Sequence, residues 1–174
     1  MMSSRYLLVP FALQMLCMAF DEFYFHWRRN LPRWERLGHP LDTLTVLMSW
    51  FFILVVEPSA ISIPIFIALS IVSCLFVTKD EWVHTAVCEG GENWLHAVLF
   101  ILHPLMFISA GLLWAGLHAN ATNFKLVRYE GFERIFFIAN MTLTLLFGMY
   151  QFIYWNYLWK PLLNLRSTTE STTN

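Results

Sequence analysis

Long apolar stretches separated by short polar ones dominate the pattern of this chain. They run near Tyr6 to Phe25, Leu41 to Val56, Ile61 to Thr78, Leu95 to His118 and Ile135 to Trp159. Most approach the roughly 20 residues that a helix needs to cross hydrocarbon. The pattern predicts an all-α, polytopic integral membrane bundle of about five transmembrane helices. The second stretch is short and stops at Glu57-Pro58, so four spans plus a re-entrant segment is the variant architecture. A tight turn at Pro58-Ser59 would make spans two and three a hairpin. Nothing breaks a helix between Ile65 and Cys88, so the third span should continue beyond its apolar part until Gly90-Gly91; Glu92-Asn93 then start the next helix. Residues 1–166 are thus read as a single transmembrane domain. The Ser/Thr-rich tail Ser167 to Asn174 is expected to be disordered.

Composition agrees with this pattern. Of 174 residues, 57% are hydrophobic and 13% charged, about half the charge of an ordinary soluble domain. A net charge of −1 gives no attraction for nucleic acid. Cys17, Cys74 and Cys88 form no close pair, so neither a disulfide framework nor a thiolate zinc site is indicated. Arg5 before an apolar run resembles a signal peptide, but the run passes directly into Asp21-Glu22 without a small-residue cleavage site and is read as a retained helix. The sequon at Asn120 is a three-residue match and carries no weight.

Lys and Arg in the loops set the expected orientation. Arg28, Arg29, Arg33, Arg36, Lys79, Lys160 and Arg166 share one side of a five-span chain, against Arg5, Lys125, Arg128 and Arg134 on the other. The richer side is expected to be cytoplasmic, with the N-terminus outside, in a bacterial cytoplasmic membrane.

Acids and histidines are rare in membrane spans because an unpaired charge there costs at least ~3 kcal/mol. Here they come in helical registers. Glu22 and His26 are four apart, Asp80 and Glu81 precede His84 by four and three, and Glu92 and His96 are again four apart, with His103 following at seven. Each set lies on one helix face. Alternating spans place the end of helix one, the end of helix three, the start of helix four and the end of helix five together, so all three sets should converge. His39 and Asp42, assigned to the first loop, and Asp21 are expected as supporting or entrance residues.

Carboxylates and imidazoles projecting from several helices suit a metal ion, the first for charge and the second for directional bonds. The Glu81-x-x-His84 spacing is similar to the carboxylate–histidine pair of ferritin-like di-iron bundles. The candidate ligands are therefore Glu22, His26, Glu81, His84, Glu92, His96 and His103, with Asp80, Tyr150 and Gln151 as candidate catalytic residues. The plainer alternative is a salt-bridged rim in which Arg28, Arg29, Arg36 or Lys79 neutralises the acids. A polar stripe on the fifth span, Asn140, Thr144, Gly148, Gln151 and Tyr154, reads either as interhelical hydrogen bonding or as a path to the site. Trp155, Tyr157 and Trp159 read as an interface anchor, and His118 as interfacial. A haem bound through His96 and His103 is disfavoured, because the other histidines sit at span ends.

The expected function is a metal-dependent membrane enzyme acting on a membrane lipid or other lipophilic small molecule. Iron is the first choice of transition metal, for O₂-dependent oxidation. Zinc or manganese are the alternatives, zinc implying hydrolysis with a carboxylate as base. A proton or divalent-cation transporter, and a structural membrane subunit, are the readings from other classes.

Overall fold

The fold was analysed on a computed structural model, which describes residues 2–81, 84, 88–118 and 127–159. The expected disordered tail, the sequon at Asn120, and Lys125, Lys160 and Arg166 lie outside the described residues. So does the side chain of Asp80.

Five helices are long and apolar enough to cross a membrane: α1 (Ser4–Arg29), α2 (Arg33–Val55), α3 (Ser62–Lys79), α4 (Gly90–Leu117) and α5 (Glu133–Leu158). Their outer faces carry exposed Leu16, Met48, Ile71, Leu75, Ile101 and Ile135, an exterior suited to lipid rather than water. The structure lengthens the second stretch into a full helix. Pro32 precedes its first residue, and the chain passes through Gly38 and Pro40 without leaving the helix. His39 and Asp42 therefore belong to α2, not to the first loop. The α3 helix tightens to 3-10 geometry over Val77–Asp80, and Gly90, expected as a break, is instead the first residue of α4.

The connection from α1 to α2 is very short. Asn30 adopts a positive φ of 64°, which asparagine tolerates better than most residues, and its amide bonds to the His26 carbonyl at 3.1 Å. The expected hairpin between α2 and α3 turns on Ser59 and Ser62: the Ser62 hydroxyl donates to the Glu57 carbonyl at 2.8 Å and accepts from the Ser59 amide at 2.7 Å. In the bundle α1 packs on α4, while α2 lies against both α3 and α5.

One end of the bundle is tied shut by side chains that satisfy free helix ends. Trp114 Nε1 donates to the Val56 carbonyl at 2.7 Å, His118 Nε2 meets the Ile53 carbonyl at 3.0 Å, and Arg134 donates to the Leu117 carbonyl at 2.9 Å. His118 is thus an end-cap of α2. Glu133 accepts from the Glu130 and Gly131 amides and from the Ser4 hydroxyl. Met2–Ser3 pairs in parallel with Val127–Arg128 across the same end. Below this cap lies an aromatic layer in which Phe11 and Trp50, and Trp50 and Phe137, have ring centroids 5.5 Å apart.

Helix α5 approaches α2 closely at Gly148. A Cβ built there would stand 2.7 Å from Thr43 Cγ2. Gly148→Ala should therefore cost about 1–3 kcal/mol through overpacking. Adding Thr43→Ser, which removes that methyl, should recover most of the loss in thermal unfolding of the detergent-solubilised protein.

Candidate metal centre

The end opposite the cap gathers most of the buried carboxylates and imidazoles. Helix α1 widens there into π-helical geometry over Asp21–His26. In a π turn residues five apart share a face, so His26 meets both Asp21 and Glu22. His26 Nδ1 lies 3.1 Å from Glu22 Oε2 and Nε2 lies 3.2 Å from Asp21 Oδ2. All three side chains are buried. An α-helical register reveals the Glu22 pairing and misses Asp21.

Glu22 is fully engaged. Besides His26, it accepts from Gln151 Nε2 at 3.0 Å, Trp155 Nε1 at 2.7 Å and Tyr150 Oη at 3.3 Å. Its place is therefore behind His26, holding the imidazole by Nδ1 so that Nε2 faces the other residues. The candidate catalytic pair Tyr150 and Gln151 act on Glu22, and so does Trp155. Trp155 is buried, not part of an interface anchor, because α5 also ends in a π turn, Tyr154–Leu158.

From α4, Glu92 Oε1 lies 3.9 Å from His26 Nε2, and His96 Nε2 lies 3.3 Å from Asp21 Oδ1. From beyond α3, the His84 ring sits 4.2 Å from that of His96, centroid to centroid. Helix α2 adds Glu35 and His39. The His39 ring stacks on His26 at 4.9 Å, and Glu35, fully buried, lies 3.9 Å from both His39 Nε2 and His84 Nε2. Glu35 was not among the residues singled out from sequence. Its signal was present, since Glu35 and His39 repeat the four-residue spacing of Glu22/His26 and Glu92/His96. Gly38 and Pro40 disguised that segment as a loop.

Among the described residues, three groups have ligand atoms close enough to share an ion: Asp21, His26, Glu92 and His96; His26, Glu35 and His39; and His84, Cys88 and His96. Within each, the atoms lie within 4.8 Å of one another, close to the ~4.6 Å that separates opposite ligands on bonds of 2.0–2.3 Å. Only the first group is buried throughout. In the third, burial and the neighbouring acids push the Cys88 thiol up to about 12, so a metal would first have to displace its proton.

Other candidates lie outside these groups. Glu81 is exposed and belongs to none of them. His103 is buried on the wall of the cavity described below, where it bonds to the Ser73 hydroxyl at 3.1 Å, and α4 runs through Pro104 unbroken. Asp42 pairs with Lys79 at 2.7 Å on the rim.

Arg29 is the resident cation. Its guanidinium donates to Glu35 at 2.6 Å and to Glu92 at 2.7 Å, tying α1 to both α2 and α4. The salt-bridged alternative is therefore partly realised. Yet four buried carboxylates, Asp21, Glu22, Glu35 and Glu92, face this one guanidinium, and three formal negative charges remain for imidazolium or metal to balance.

A cavity of about 130 Å³ opens from the cluster into the bundle. Its walls include Asp21, His26, His39 and His96 at one end and Phe11, Trp50 and Met106 at the other. Asn140, Thr144 and Gln151 of the expected polar stripe line it, whereas Gly148 makes the close helix contact. Comparison with family models, curated proteins and solved structures gives no match, so function has to be read from this geometry.

Removing the guanidinium should be severe. Arg29→Met is expected to lower stability by about 3–5 kcal/mol, because it strands two buried carboxylates. Arg29→Lys should recover part of this loss in the same thermal-unfolding measurement.

Proposed function

We propose that the protein is a membrane-embedded, metal-dependent enzyme acting on a lipophilic substrate, its ion held by Asp21, His26, Glu92 and His96. The reading is carried by the charge imbalance at this site together with its incomplete hydrogen bonding. Asp21 Oδ1 and His26 Nε2 are buried with ion-pair contacts, to His96 Nε2 at 3.3 Å and to Asp21 Oδ2 at 3.2 Å, but no well-formed hydrogen bond among the described residues. Buried polar atoms left short of a hydrogen bond cost about 1–3 kcal/mol each, and a divalent cation would satisfy these two while neutralising the carboxylates. Glu35 and His39 offer a second position beside the first, joined through His26.

Mixed carboxylate and imidazole donors suit non-haem iron best, with manganese and zinc as the other fits. Iron would supply oxidation by dioxygen, one oxygen atom entering the substrate and the other leaving as water with two electrons from an external reductant; zinc would supply hydrolysis. The chain's own residues do the rest. Glu22, fixed by Gln151 and Trp155, holds the His26 ring in one tautomer and orientation. Arg29 offsets the charge of Glu92 and Glu35. The cavity beyond His96 gives an apolar substrate a way to the centre from within the bundle.

The five apolar helices support an integral membrane location, and the basic residues around the site favour a cytoplasmic face for this end. A conduit for protons or divalent cations draws support from the polar stripe of α5. The enzyme reading fits better because the buried carboxylate–imidazole cluster occupies one end, while the ionisable groups of the opposite end, His118, Arg134 and Glu133, are engaged in the hydrogen bonds that close it.

Elemental analysis of protein purified without chelators tests the proposal. At least about one equivalent of iron, manganese or zinc per chain is expected, falling by about one in His96→Ala and unchanged in the control Glu81→Gln. Less than about 0.2 equivalents, before and after incubation with these metals, would contradict it.

A further inference from the structure

The far end of the cavity has polar chemistry of its own. Gln14 and Asn140 are buried there, yet their amide groups find only methionine sulfurs, Met18 Sδ at 3.9 Å and Met15 Sδ at 3.0 Å, which are weak acceptors. Gln14 Oε1 and Asn140 Oδ1 have no hydrogen-bond partner among the described residues, and neither has the indole Nε1 of Trp50. All three residues line the cavity and are more than nine-tenths buried.

Sequence spacing fixes where they stand. Gln14 follows Phe11 by three residues and Asn140 follows Phe137 by three, and both rings pack on Trp50. Each amide is therefore one helical turn nearer the metal cluster than the aromatic layer that floors the cavity. Gln14 precedes Asp21 by seven residues, Asn140 precedes Gln151 by eleven, and Trp50 follows His39 by eleven, which puts these groups about 10–16 Å from the cluster at ~1.5 Å per residue. Between the two polar ends the walls carry Met15, Val46, Leu99, Phe100 and Met106, with Thr43, Thr144 and His103, the last engaged by the Ser73 hydroxyl, as the polar interruptions.

We propose that this blind end is a second polar subsite, which receives a hydroxyl group carried about 10–16 Å from the reacting end of a single-chain lipophile. A hydroxyl fits the unmet demands there because it donates, to an amide oxygen, and accepts, from the indole N–H. A cavity of about 130 Å³ over that length has room for one extended chain and not for a diacyl pair. The inference deepens the proposed enzyme reading, on which its naming of the substrate rests, by making that substrate a long-chain hydroxylated molecule. The subsite itself is independent of any metal.

The test compares tritiated dodecane-1,12-diol and dodecane binding to the full chain in phosphatidylcholine nanodiscs, with and without prior chelator treatment. In Gln14→Leu/Asn140→Leu the diol should bind about tenfold more weakly and the hydroxyl-free dodecane no more weakly than in the unaltered protein. Trp50→Phe keeps an aromatic ring but removes the N–H, so it should cost the diol about threefold and serves if the double variant does not fold. Selectivity retained after metal removal supports the subsite whatever becomes of the metal centre. Diol affinity unchanged in both variants, or no binding of either probe to metal-replete protein, overturns the subsite and leaves the metal reading standing.

Discussion

Four carboxylates removed from water at one end of an apolar bundle are the constraint to which the rest of the structure answers. An isolated buried carboxylate loses several kcal/mol of solvation, and nearby charge and donated hydrogen bonds must restore it. Each acid is answered differently. Glu22 collects donors from His26, Gln151, Trp155 and Tyr150, so it is satisfied by the protein alone. Glu35 and Glu92 share Arg29. Asp21 faces two imidazoles and keeps one oxygen without a hydrogen bond. Unsatisfied atoms remain on Asp21, His26 and His96, where the metal is proposed, and on Glu35 and His39 beside them.

Backbone geometry serves this arrangement. Two π turns, at the ends of α1 and α5, bring Asp21 onto the face of His26 and turn Trp155 inward to Glu22. Such turns are frequent at functional sites because they re-aim side chains without ending a helix. The three-residue link through Asn30 holds Arg29 within 2.6 Å of Glu35. Gly148 lets α5 close on α2 behind the cavity. At the far end, structural hydrogen bonds to helix termini close the bundle.

Much of this was legible in the chain. Five apolar stretches correspond to the five helices, and spacings of four placed Glu22 with His26 and Glu92 with His96. What escaped did so for local reasons. Glu35 and His39 share that spacing, but the intervening Gly38 and following Pro40 look like loop chemistry; in the structure both sit within the helix. Asp21 and Trp155 were misjudged because a period of 3.6 does not describe a π turn. His103 was legible as buried but not as the partner of Ser73, a contact between helices that no spacing within one helix encodes. Glu81 is exposed and joins neither the candidate ligand groups nor the cavity wall.

The central claim concerns a ligand set, so the most direct measurement is X-ray absorption at the metal edge of the purified protein. The account expects a shell of nitrogen and oxygen atoms at about 2.0–2.2 Å with the outer-shell signature of two imidazoles, His26 and His96. A sulfur scatterer at about 2.3 Å beside the imidazoles would move the ion to His84, Cys88 and His96 and contradict the assignment, and the absence of any transition-metal edge would contradict the metal centre itself.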